Sequence, residues 1–141
     1  MDLTSFTAES VGDFTREFEQ LFDANDAAAM TARYTSDGRI ATEGVMPVEG
    51  HAAIQAFWQH AIEVAAVAKA RRTIHLQEAM SSGDLAYALC TVNVEIPDAT
   101  GAAAPTTITS WDTTVWRREA DGAWRIAVDI SVHIPPSADR G

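Results

Sequence analysis

The stretch from Pro105 to Ile134, PTTITSWDTTVWRREADGAWRIAVDISVHI, constrains this chain most. Both arms are rich in Thr, Ile, Val and Trp, which suit a pleated surface, and Asp121-Gly122 between them is a strong hairpin signal. Each arm carries one carboxylate in an otherwise apolar or hydroxylated run, Asp112 and Asp129. A two-residue loop at Asp121-Gly122 sets Asp129 opposite Thr114 and Asp112 opposite Ser131, with the acids' Cβ atoms roughly 7–8 Å apart on a diagonal. A four-residue loop from Glu119 to Gly122 pairs the two acids directly, at roughly 5 Å. Side chains repeat every two residues, so either loop puts both acids on one face, whereas a three-residue loop separates them.

That face also carries Ser110, Thr114, Trp116, Ser131 and His133. Its opposite on the second arm is Trp124, Ile126, Val128, Ile130 and Val132, wholly apolar. Alternation allows two readings. In one the apolar face is core and the Asp/Ser/His face is solvated. In the other the polar face lines a pocket, where two desolvated carboxylates repel and one keeps a proton near neutral pH. Such a pair is equipped for general acid–base chemistry.

The 141 residues are expected to form one domain, 1–141, with a frayed tail over about 135–141. A hydrophobic share of 47% makes it globular. Twenty acidic residues against ten basic ones give a net charge of −10, which disfavours nucleic acid and anionic membranes as partners. The one basic cluster, Lys69, Arg71 and Arg72, reads as a solvated turn. Cys90 is the single cysteine, in the alternating run Ala86, Ala88, Cys90, Val92, Val94, and reads as packing. The N-terminus has no apolar leader and no stretch approaches ~18 apolar residues, so a cytoplasmic protein is expected.

Along the chain, residues 9–24 form an amphipathic helix with Val11, Phe14, Phe18, Leu21 and Phe22 on one face, started by Ser10 and Asp13. Asn25-Asp26 caps a short helix from Ala27 to Tyr34, and Arg39 to Thr42 is a strand. An irregular GVMPVEG follows, then the longest helix, His51 to Ala68. From there the period changes to two, with strands over Thr73–Met80 and Leu85–Ile96 ahead of the hairpin. Helices followed by strands in sequential hairpins is an α+β layout.

The segments ARYTSDGRI, VEGHAAIQAFW, SGDLAYAL and VWRREADGAWRIAVDI, in this order, resemble the SnoaL-like (ketosteroid isomerase-like) branch of the nuclear transport factor 2-like superfamily. The resemblance implies a cone: N-terminal helices on a strongly curved, mainly antiparallel, cystatin-like sheet whose concave face lines a pocket. Its convex face often packs in a homodimer. Asp112 then falls where ketosteroid isomerases carry a strand carboxylate, and Tyr34 and Trp58 fall on aromatic pocket positions. The family's general-base aspartate is Thr42 here, its first-helix tyrosine is Phe18, and Glu43 points the other way, so isomerisation by that family's mechanism is not expected. The acid pair more closely resembles limonene-epoxide hydrolases and polyether cyclases, although Ser110 stands near the place of their arginine. SnoaL-type polyketide cyclases share the plan.

His51 and His60 point apart on one helix and make no metal site, and His75 reads as a sheet histidine. No phosphate loop or zinc signature occurs, so no cofactor or metal is expected. The resulting expectation is a cofactor-independent, homodimeric enzyme acting on an uncharged or weakly polar polyketide-, terpenoid- or steroid-like molecule. The reaction is a cyclisation, isomerisation, dehydration or epoxide opening. Asp112 and Asp129, helped by His133, move the protons. Phe14, Phe18, Tyr34, Thr42, Phe57, Trp58, Ser110, Thr114, Trp116 and Ser131 shape the substrate site. The alternative is a non-catalytic dimeric ligand-binding or assembly domain of the same fold.

Overall fold

The computed structural model describes residues 2–135; the expected frayed tail beyond Pro135 lies outside the described residues. Three helices, α1 (Ala8–Asp23), α2 (Ala27–Thr31) and α3 (His51–Ala68), cover one face of a six-stranded sheet. The strands are β1 (Tyr34–Thr42), β2 (Val48–Glu49), β3 (Arg71–Ser82), β4 (Leu85–Ile96), β5 (Thr106–Arg118) and β6 (Trp124–Ile134). Their order is β2-β1-β6-β5-β4-β3, antiparallel throughout except for β1 beside β6. This is the α+β layout read from the sequence.

Local chemistry sets the helix ends. Thr7, not Ser10, caps α1: its hydroxyl accepts from the Ser10 N–H at 3.1 Å while the Ser10 hydroxyl accepts from the Thr7 N–H. Asp26 caps α2 by accepting from the Ala29 N–H at 3.0 Å. That helix stops at Thr31, so Tyr34 opens a strand instead of closing a helix. The strand begins five residues before the expected Arg39, and the residues between Tyr34 and Arg39 bulge out of the β1–β6 ladder. Gly38 permits this bulge. A Cβ there would lie 3.0 Å from the Thr35 carbonyl oxygen and 3.3 Å from that of Ile126, closer than backbone tolerates.

The core sits between α1 and the concave face. Phe14, Phe18 and Phe22, four residues apart, form one buried stripe. Phe14 meets Trp116 edge-on at 4.7 Å between ring centroids, and Phe18 meets Trp58 at 5.3 Å. Ala86, Ala88 and Cys90 face these rings from β4. Small side chains suit a concave surface, where curvature crowds neighbours. Glu19 ties α1 to the open edge of the sheet by accepting from the Ile74 N–H at 2.7 Å.

The β5–β6 hairpin departs from both expected loops. Arg118 pairs with Trp124, leaving a five-residue loop from Glu119 to Ala123. The Gly122 N–H donates to the Glu119 carbonyl at 2.9 Å, and Gly122 takes φ +84°, where glycine carries no Cβ penalty. An odd loop puts the two acids on opposite faces. A bulge reverses that outcome: Trp116 pairs with Ile126 but Val115 with Val128, so Ala127 is one residue extra. Beyond it Asp129 faces Thr114 and Asp112 faces Ser131, the pairing expected of a two-residue loop.

The bulge also corrects the reading of the apolar stripe. Trp124 and Ile126 point into the core, buried with Trp116, and only Val128, Ile130 and Val132 remain on the convex side.

Candidate active site

Asp129 is 7% exposed and Tyr34, the first residue of β1, is wholly buried behind it. The Tyr34 hydroxyl donates to Asp129 Oδ2 at 2.7 Å and accepts from the Trp58 indole N–H at 3.2 Å. Burial first, and then the Asp129 charge, push the Tyr34 hydroxyl well above the ordinary phenol range, so it stays a neutral donor. The His51 ring fixes the start of this chain, with Nε2 2.9 Å from the Tyr34 carbonyl oxygen. Tyr34 therefore holds Asp129 in place instead of forming a cavity wall.

Asp112 is partly buried beside Asp129. Burial, then the Asp129 charge, then a hydrogen bond between the two carboxyls raise its pKa well above the usual carboxylate value, and Arg72 offsets part of the rise. Thr114, directly opposite Asp129, has its hydroxyl occupied: it accepts from the Trp116 indole N–H at 2.8 Å. Among the described residues no ion pair reaches either acid.

The acids stand between two spaces. An inner cavity of about 30 Å³, enough for one or two waters, is lined by Phe14, Phe18, Trp58, Cys90, Thr114 and Trp116 together with both acids. An outer vestibule of about 170 Å³ is lined by Ile40, Thr42, Phe57, Ala61 and Ser131, again with Trp58 and both acids. Aromatic rings thus fill most of the cone, and the reachable space is smaller than the hydrophobic substrate reading implies. Burial, then Asp112 and Asp129, push the Cys90 thiol up to about 12, so it is neutral packing.

The expected site residues therefore separate. Phe14, Phe18, Thr114 and Trp116 line the inner cavity, Thr42, Phe57 and Ser131 the vestibule, and Trp58 both. Ser110 is half-buried and lines neither. His133 is exposed and also lines neither; its backbone N–H donates to Glu43 Oε1 at 2.9 Å. Arg72 lines both spaces and corrects the reading of its cluster as a solvated turn. Its place in the alternating run Arg72, Ile74, Leu76 was the available signal, because that run faces the core. Among the described residues no cluster of His, Cys, Asp or Glu could hold a metal ion.

A family model described as a SnoaL-like domain matches residues 15–127, most of the chain, with Phe14 just before the match and Asp129, Ser131 and His133 just after it. The chain belongs to the SnoaL-like domain family. No curated protein matches this SnoaL-like domain significantly. Among solved structures it is similar to a nuclear transport factor 2-like protein with a cystatin-like fold from Novosphingobium aromaticivorans. The two are 22% identical, with a TM-score of 0.78, over 92% of this chain and 83% of that one. It is also similar to a ketosteroid isomerase-like protein from Erwinia carotovora atroseptica, at 19% identity and a TM-score of 0.67, over 84% of this chain and 89% of that one. At these identities the likeness establishes the fold. The SnoaL-like domain accordingly shares the nuclear transport factor 2-like architecture.

Proposed function

We propose that this SnoaL-like domain is a cofactor-independent enzyme that moves protons on a small organic molecule through Asp112 and Asp129. One observation carries the reading: two carboxyls border the same two small, mainly apolar spaces with no ion pair among the described residues. Keeping such a pair out of water is costly, and the protein invests a buried Tyr34–Trp58 relay in positioning one member. Asp112 carries the proton and is the acid. Asp129, oriented through Oδ2, is the acceptor. An acid and an acceptor together suit ring closure, isomerisation, dehydration or epoxide opening, where one group activates a nucleophile or C–H bond and the other protonates the departing oxygen. The small inner cavity seats a water or a substrate oxygen, and the vestibule admits the group that carries it.

Carboxyl NMR titration tests this without a substrate. The expected result is a coupled pair in which Asp112 titrates well above the ordinary range; two independent, ordinary titrations would remove the proposal. With a panel of small epoxides and β-keto esters, Asp112→Asn and Asp129→Asn should each abolish most turnover. The double variant should lose far less than the product of the two single losses, because the pair acts as a unit. Activity should fall on the alkaline side as Asp112 loses its proton. A folded wild type inactive on the whole panel, with ordinary titrations, points to the non-catalytic binding domain.

A further inference from the structure

Arg72 is the second residue of β3, paired with Val94. Its guanidinium carbon lies 5.2 Å from the Trp58 ring centroid and 5.5 Å from that of Phe22. Among the described residues this group makes no hydrogen bond and no ion pair, although the chain carries twenty acidic residues. A guanidinium has five donors in a rigid fork, is weakly hydrated and tolerates aromatic faces, which suits it to two-point recognition of a carboxylate. Here it packs over two rings and its fork has no partner among the described residues.

Its position adds a second observation. Arg72 lines the inner cavity, the vestibule and a third space, an almost wholly apolar groove of about 350 Å³. The groove is walled by Val64, Ala65, Ala68, Val94 and Ile96, with His60 the one polar side chain besides Arg72. Ala61 and Arg72 border both groove and vestibule, so Arg72 stands between the two spaces. An apolar trough ending at a cation, with an acid pair beyond it, has the polarity of an amphiphilic acid.

We propose that Arg72 seats the carboxylate of a substrate whose apolar body lies in the groove between α3 and the β3–β4 strands, with its reactive oxygen close to that carboxylate. This rests on the acid-pair reading for the chemistry and adds the substrate class. It also replaces the expectation of an uncharged ligand. A bound carboxylate neutralises the charge that offsets part of the rise at Asp112, so binding strengthens Asp112's hold on its proton.

The test compares octanoate with octan-1-ol, which has the same chain and no charge. The readout is the Trp58 indole N–H resonance of the full-length protein, assigned with Trp58→Phe. Octanoate should bind roughly tenfold more tightly than the alcohol, as a charge-assisted, two-point contact warrants. Arg72→Gln should reduce octanoate to the alcohol's affinity and change the alcohol's binding far less. Arg72→Lys keeps the charge without the fork and should fall between; it also serves if the Gln variant does not fold. Ala68→Phe, which fills the groove, should weaken both probes. Equal affinity of the two probes, no binding of either, or octanoate binding unaffected by both Arg72 variants would overturn the assignment.

Carboxyl titration of the same samples without probe separates the two proposals. A raised Asp112 with no octanoate preference removes only the Arg72 assignment. An ordinary Asp112 with a strong preference removes only the acid pair.

Discussion

Asp112 binds its proton more tightly in the folded chain than in the unfolded one, because folding buries it beside Asp129. The stability this group contributes is therefore fully present below the ordinary carboxylate range and is lost as pH rises through the raised folded value. The slope is at most about 1.4 kcal/mol per pH unit. Asp112→Asn removes it. Urea denaturation across a pH series should find variant and wild type converging in acid, with the variant the more stable by about pH 8. A wild type that gains on the variant as pH rises would contradict this. At this scale the sequence exposed the acids, because two carboxylates in apolar strands are conspicuous. It hid Arg72, since a basic residue beside two others at a helix end looks solvated until β3 is known to start there. His133 shows the opposite limit: its strand parity was right, but parity says nothing about how far the cavity extends toward the end of β6.

Among the elements, the β5–β6 hairpin shows where reading from sequence stops. Strand composition and the Asp-Gly turn located both arms, and the pairing of Asp112 and Asp129 matches one of the two readings. The route to that pairing was illegible, because an odd loop and a one-residue bulge cancel in parity and Ala127 carries no local mark. The same extra residue moved Trp124 and Ile126 from the expected outer stripe to the core. The irregular stretch of β1 lies against this part of β6 and depends on Gly38. Gly38→Ala places a methyl 3.0 Å from a carbonyl oxygen and 3.2 Å from the Tyr34 Cβ. It should destabilise the fold by about 1–3 kcal/mol in urea titrations, since backbone has to move. The carboxyl titration of Asp112 should shift as well, because Tyr34 carries the hydrogen bond that orients Asp129. Wild-type stability in this variant would mean the bulge relaxes freely.

For the whole molecule, the convex face is what remains uncovered. Trp111 and Val132 are cross-strand partners 44% and 47% exposed, and Ile130 beside them is 40% exposed. An apolar patch of this kind on one sheet face predicts a homodimer joined through it. Light scattering should give about twice the 15.2 kDa chain mass, and Val132→Lys should reduce it to a single chain. A wild-type mass of one chain would end this expectation. The α+β order was legible from periodicity, and the family from four short segments. The near-solid packing of the cone was not, because cavity volume depends on how rings from α1, α3 and β5 interlock. That packing turns Cys90 into a clock. With its thiol pushed up to about 12, the folded protein presents almost no thiolate at pH 8, whereas an opened chain presents an ordinary cysteine. Alkylation by iodoacetamide, followed by mass, should therefore count openings of the cone. Its rate should climb with urea at the slope of global unfolding, and a fast, urea-independent rate would reveal that the sheet and α1 part locally while the rest of the chain stays folded.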